Sequence, residues 1–175
     1  LVQMVLTSFM TDAEINSFPP KFIPSSINLG GYQQFLTDSL APRWMVNTVI
    51  VALISVLAHL VLCSTAGYGY ARLKFRGRNF GFFAIVATIM IPTQLLMIPT
   101  YVMSSNLGVV DTLAAAFIPW LTSAFGIFLM RQFIAASVPM QLIEAARLDG
   151  CSEWRIFSSV VLPLLGPALG TLGLV

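Results

Sequence analysis

The sequence predicts an all-α protein that crosses a membrane several times. Three observations lead there. Hydrophobic residues make up 57% of the 175-residue chain and charged residues only 9%. A soluble domain carries about 25% charged residues, so this chain cannot cover a water-facing surface. Mean hydropathy is +0.86. The apolar residues also fall into runs near the ~20-residue length that a helix needs to cross a bilayer, with short polar turns between them.

The chain opens at Leu1 and stops at Val175, each inside an apolar run, which predicts that both ends lie within membrane helices of a longer protein. Residues 1–10 read as the end of a first membrane helix. Residues 11–43 hold Asp12, Glu14 and Asp38 among Pro19, Pro20, Pro24, Gly30 and Gly31, and read as a water-exposed loop resting on the membrane through Phe18, Phe22, Tyr32 and Phe35. Residues 44–175 form the remaining domain. Its leading span runs from Trp44 to Ala71, with Trp44 at one interface and Tyr68 and Tyr70 near the other, as aromatic belts require. "RLKFRGR", Arg72 to Arg78, is a short loop with four cations and no acid. A third span covers Phe80–Met103 and contains Pro92 and Pro99. After the polar turn Ser104–Thr112, a fourth covers Leu113–Met130 around Pro119. Arg131–Ser159 is a charged region, and Val160–Val175 begins a fifth span marked by Pro163 and Pro167.

Cations near helix ends stay on the cytoplasmic side. Arg72, Lys74, Arg76, Arg78, Arg131, Arg147 and Arg155 fall on one side by this alternation, against Lys21 and Arg43 on the other. Residues 72–78 and 131–159 are therefore cytoplasmic and residues 11–43 outside. The span prolines each remove a backbone donor. They read either as ordinary kinks or as hinges around a central cavity, with Thr93 and Gln94 beside Pro92 favouring the second.

Residues 139–159 are too short and too polar to cross a membrane. Pro139 suits the first turn of a helix, and the run after it places Leu142, Ala145 and Ala146 on one face. Asp149-Gly150 breaks that helix, because Gly150 can take the left-handed conformation that ends one. Ser152 is a candidate N-cap for a second helix, whose apolar face carries Trp154, Phe157, Val160 and Val161 into the next span. On this pattern alone an interfacial connector and a docking element for another protein both stand. Lipid-facing helices carry a Lys/Arg-rich polar face, whereas Glu144, Arg147, Asp149 and Arg155 balance in charge. Ala145 and Ala146 permit close approach of another surface.

The segment resembles the cytoplasmic signature of permease subunits in bacterial binding-protein-dependent ATP-binding-cassette importers. That signature reads E-A-A, three residues, G, nine residues, then I-x-L-P. Here Glu144-Ala145-Ala146 precedes Gly150, and nine residues on stand Val160-Val161-Leu162-Pro163, with Val160 for Ile the one departure. "NTVIVAL", "AGYGYARLKFRGR", "MIPTQLLMIPTY" and "FLMRQF" are similar to the sugar-importing, maltose-type branch, so the matches cover most of residues 44–175. The resemblance implies the type-1 importer fold, with coupling helices within residues 139–159 that dock into a cleft on an ATPase subunit. Glu144 and Asp149, flanking Arg147, would supply polar contacts, Ala145 and Ala146 close packing, and Gly150 the turn. Val160, Leu162 and Pro163 close the signature.

The implied assembly has two ATPase subunits, a second permease subunit and an extracytoplasmic solute-binding protein, all at the bacterial inner membrane with its lipid. ATP and magnesium would sit on the ATPases. This subunit would bind no cofactor and would not itself be an enzyme; it has no GxxxxGK[ST] loop. The expected solute is a sugar or oligosaccharide moved by alternating access. The same fold importing glycerol phosphate, and a membrane scaffold without an ATPase, are the competing readings.

Other features carry less. A net charge of +2 without a basic tract argues against nucleic acid. Cys63 and Cys151 lack CxxC spacing and are not expected to pair. His59 lies mid-span, where an ionisable group is a functional candidate by default, and a His bonded to a neighbouring helix carbonyl is the bland alternative. No metal-ligand cluster or G-x-S-x-G nucleophile setting accompanies it. Ala66, Gly67 and Gly69 form a small-residue surface suited to tight packing inside one subunit or to subunit pairing. Asn47 and Gln94 could reach a solute path, and the sequence assigns no solute-contacting residue.

Overall fold

The computed structural model describes residues 1–37 and 40–174. Asp38, counted above in the outer loop, and Val175, the last residue of the fifth span, lie outside the described residues. Among the described residues the regular structure is entirely helical. The chain divides into two compact units, Leu1–Val49 and Ile50–Val175.

The first unit opens with α1, Val2–Thr7, six residues long. Residues 11–43 are more ordered than a plain loop. Thr11 and Glu14 form a capping box around α2, Asp12–Ile15, satisfying helix-end donors from both sides. Glu14 Oε1 also accepts from the Ser25 amide at 3.1 Å, which closes the Pro-rich segment on α2. The Ser25 and Thr11 hydrogen bonds hold the Glu14 carboxyl below the ordinary carboxylate value. α3 spans Gly30–Thr37, and Ser8 Oγ and the Tyr32 hydroxyl share a 2.7 Å hydrogen bond. Phe18, Phe22, Tyr32 and Phe35 are all exposed.

α4, Ala41–Arg72, has 32 residues and is the single described helix long and apolar enough to cross a membrane unbroken. At 1.5 Å per residue it is about 48 Å long, more than the ~30 Å hydrocarbon core. It begins three residues before the expected Trp44, because Pro42 suits a first helical turn.

The other three expected spans are each bent. The third is two pieces at 97°, α5, Arg78–Thr88, and a 3₁₀ turn, Thr93–Leu96, running into α6, Met97–Asn106. Pro92 causes the break: it is extended (φ −57°, ψ 131°), and a proline disfavours helix in the residue before it. Pro99 is harmless, lying in the first turn of α6. The fourth pairs α7, Leu113–Phe117, extended by a 3₁₀ turn through Trp120, with α8, Ala124–Ser137, at 44°. α8 runs past the expected end at Met130, so Arg131 lies inside a helix, its guanidinium 4.1 Å from the Phe82 ring centroid.

α9, Met140–Leu148, stands alone. The second helix of the expected coupling pair is not separate. α10, Glu153–Ile156, continues through a π segment, Phe157–Val161, into α11, Leu162–Leu164, and then bends by 79° to α12, Gly166–Leu174. A proline ring clashes with the carbonyl four residues back, and the wider π turn ahead of Pro163 relieves that clash.

The core of the second unit is apolar and centres on α8, α9 and the last helical run. Met130, Ile134, Ile143, Ile156, Val161 and Leu165 are fully buried. α4 joins it by close approach. A Cβ on Gly67 would lie 2.7 Å from the Met130 Cβ, and one on Gly126 would lie 2.7 Å from the Cys63 sulfur. Of the small-residue surface, Gly67 carries the packing inside the subunit, while Gly69 faces open space. Cys63 and Cys151 are free thiols.

Candidate docking helix and polar cavities

The turn between α9 and α10 is built by local backbone chemistry. Pro139 is the N-cap of α9, one position before the expected first turn, with φ −61° and ψ 136°. At the other end Gly150 has φ +78°. The Cys151 amide donates to the Ala146 carbonyl and the Gly150 amide to that of Arg147, both at 3.0 Å, the paired bonds of a Schellman stop. Ser152 then caps α10, its hydroxyl accepting from the Arg155 amide at 3.4 Å.

α9 has two faces. Ile143 is fully buried and Ala146 packs against the core. Glu144, Ala145 and Asp149 are exposed, and so is Leu148, at 89%. The expected grouping of Leu142, Ala145 and Ala146 is therefore split: Ala146 points inward, while Leu142 and Ala145 point out. Helical phase explains this, since Ile143 rather than Leu142 anchors the helix and Ala146 lies three residues on from it. On α10, Trp154 is exposed while Phe157 and Val161 are buried, so the expected apolar face loses Trp154. At the signature end Val160 and Leu162 are half-buried and Pro163 is exposed.

Arg147 does not join the exposed face. Its Nε donates to Glu153 Oε1 at 2.7 Å, the one ion pair among the described residues. The other carboxylate oxygen accepts from the Tyr68 hydroxyl at 2.6 Å. That pairing raises the Arg147 pKa and holds the Glu153 carboxyl below its ordinary value. Sequence reasoning missed Glu153, Tyr68 and Leu148 as site residues. An acid six residues beyond Arg147, across a glycine turn, was a readable hint of the pair; nothing local pointed to Tyr68.

His59 faces a cavity of about 380 Å³ with Ser55, Trp120, Thr122 and Ser123 on its wall. Its Nε2 lies 3.4 Å from Ser123 Oγ and 3.7 Å from Cys63 Sγ, so its partners are side chains rather than the expected carbonyl. A second cavity of about 320 Å³ is lined by Thr93, Gln94, Thr100, Pro119 and Trp120. Both open where a span is broken, and Trp120 serves both. Gln94 thus reaches a cavity whose wall is otherwise largely apolar, with Leu96, Met97, Pro119 and Trp120, and Asn47 is half-buried near the start of α4. No cluster of three or more metal-binding side chains occurs among the described residues.

Comparison with known proteins agrees with this architecture. Residues 61–174 match the family described as binding-protein-dependent transport system inner membrane component. An arabinooligosaccharides transport system permease protein, AraQ of Halalkalibacterium halodurans, is 33% identical over 99% of this chain and 63% of its own length. A polygalacturonan/rhamnogalacturonan transport system permease protein, YtcP of Bacillus subtilis, is 30% identical over 99% of this chain and 59% of its own. An sn-glycerol-3-phosphate transport system permease protein, UgpE of Brucella suis, is 29% identical over 91% of this chain and 58% of its own. The chain thus spans about three fifths of the length of these curated relatives. The match covers well over half of the chain, and the chain belongs to this family of inner membrane transport components.

Proposed function

We propose that the chain is part of the permease subunit of an ATP-driven importer, moving a saccharide across the cytoplasmic membrane by alternating access. The observation that carries this reading is the build of α9. Its buried side is fixed to the core by Ile143, while its other side offers Glu144, Ala145, Leu148 and Asp149 to a partner. An exposed leucine beside small and acidic residues suits a cleft on an ATPase subunit better than a free surface. Two such ATPases, carrying ATP and magnesium, would work with a second permease subunit and an external solute-binding protein. This subunit would hold no cofactor and perform no hydrolysis. Residues 11–43 would lie outside, residues 72–78 and 131–159 in the cytoplasm, and residues 44–175 would form the permease domain.

Two lines support a saccharide. The relatives include permeases named for arabinooligosaccharides and galacturonans. The two cavities also present hydroxyl, amide, imidazole and indole groups with no Lys or Arg on their walls. Such a lining favours a polyhydroxylated solute over a phosphate ester, which would call for cations.

The test is recovery of the full-length protein from its native membrane in mild detergent, beside Gly150→Pro and Leu148→Asp. Proline cannot adopt the +78° φ of Gly150. Leu148 is exposed, so its replacement spares the fold. The reading expects an ATPase and a second permease with the wild type, and loss of the ATPase from both variants. Recovery of the protein alone, or an ATPase held equally by all three, overturns it and favours a scaffold.

A further inference from the structure

α9 is held against one face of α4 at both of its ends. At the C-terminal end the link runs from Arg147 through the Glu153 carboxylate to the Tyr68 hydroxyl. The Tyr68 ring, 4% exposed, also stands 5.5 Å from the Phe157 ring. Glu153 and Phe157 are four residues apart and share a helical face, so Tyr68 grips that face with both its ring and its hydroxyl.

One turn along α4 from Tyr68 is Arg72. Its Nη2 donates to the carbonyls of Ile134 at 2.9 Å, Ala135 at 3.2 Å, and Val138. The first two belong to the last turn of α8; the Ile134 carbonyl also accepts from the Val138 amide at 3.2 Å, while that of Ala135 faces Pro139, which has no N–H to give. Val138 leads through Pro139 directly into α9. Arg72 Nη1 also lies 4.0 Å from the sulfur of Met140, the first residue of α9.

We propose that Tyr68 and Arg72 are a two-point mount that makes α9 move as one body with the cytoplasmic end of α4. Resting on the reading of α9 as the docking helix, the mount delivers a displacement imposed by the partner to that span. Both are positioning residues acting through α9. An unmounted α9 would swing about Val138–Pro139 and Gly150 and absorb part of the motion. A cation that only sets topology needs no fork on three carbonyls, and an interfacial tyrosine needs no carboxylate.

The test uses the full-length permease in its complete complex, reconstituted in vesicles. Tyr68→Phe keeps the ring, Arg72→Lys keeps the charge, and Glu153→Gln keeps the shape. Hydrogen exchange of the residue 141–149 amides is measured first, with residues 127–130 of α8 as internal control. Loss of one charge-assisted hydrogen bond should speed local opening about tenfold or more. Solute moved per ATP hydrolysed is measured second and should fall about threefold or more with the ATPase still bound. A purely structural role would lower the yield of complex and leave that ratio unchanged. Unaltered α9 exchange in all three variants refutes the mount. Faster exchange with an unaltered ratio refutes the transmission. Should the wild type retain no ATPase, the docking reading falls, and the exchange arm still decides the mount.

Discussion

Replacing Gly67 by alanine should destabilise the protein, while the same change at Gly69, two residues on, should not. An alanine Cβ at position 67 would stand 2.7 Å from the Met130 Cβ and 2.9 Å from the backbone nitrogen of Arg131. Ordinary contact begins near 3.4 Å, so α4 and α8 must part by about 0.7 Å, and backbone cannot rotate aside as a side-chain tip can. Overpacking of this kind costs roughly 1–3 kcal/mol. Alanine returns about 1 kcal/mol of helix propensity relative to glycine, which leaves a net loss of up to about 2 kcal/mol. Position 69 has nothing within 4 Å, so there only the propensity gain remains. The two variants should therefore differ by about 1–3 kcal/mol, a factor of about five or more in the folding equilibrium. Denaturant unfolding of the detergent-solubilised protein, followed by tryptophan fluorescence, measures the difference. If Gly67→Ala unfolds at the same denaturant concentration as Gly69→Ala or higher, the close α4–α8 contact is wrong.

Three further outcomes are expected. Ile143→Ala should cost about 2–4 kcal/mol in the same unfolding assay, since a fully buried isoleucine is removed from under α9. Leu148→Asp should leave that midpoint within about 0.5 kcal/mol of wild type, because the side chain is 89% exposed, while abolishing ATPase recovery. The segment from Thr11 to Ser25 should loosen in acid. Its Glu14 carboxyl sits below the ordinary value of 4.5, so its contribution is complete above that value and lost as pH falls through the lowered one. Limited proteolysis across the carboxylate range, about pH 3–6, should show that transition, and Glu14→Gln should remove it.

What the sequence made legible divides along the distance over which each cause acts. The Trp44–Ala71 span became α4 nearly to the residue, because one uninterrupted apolar run with aromatic ends leaves little choice. Gly150 and Ser152 were readable for the same local reason: a left-handed stop and a side-chain cap depend on adjacent backbone alone. Prolines announced kinks or hinges in spans three and four, and marked the fifth, without saying how far any would bend. The bends themselves are 97°, 44° and 79°. Tyr68 and Arg72 read as an interfacial aromatic and a topology cation, both defensible from composition. Their partners lie 85 and 62–66 residues away, a relation that no local pattern carries.

The signature itself mixes two jobs that the sequence shows as one string. Glu144 and Ala145 face outward, where a partner would meet them, whereas Ala146 lies against the core and its carbonyl receives the Cys151 amide. Arg147 faces sideways into the Glu153 carboxylate, and Gly150 turns the chain. Adjacent letters thus differ physically: the first pair is exposed, as the proposed docking requires, and most of the rest are seated in the fold. That division also explains why the helix can be so short. An isolated nine-residue helix is marginal in water, and α9 is ordered by Ile143 beneath it, by a Schellman stop at one end and, just ahead of its other end, by Arg72 holding the Val138 carbonyl. A helix held from outside itself leaves its exposed residues free of any duty to the fold, and those residues can be shaped entirely to a partner.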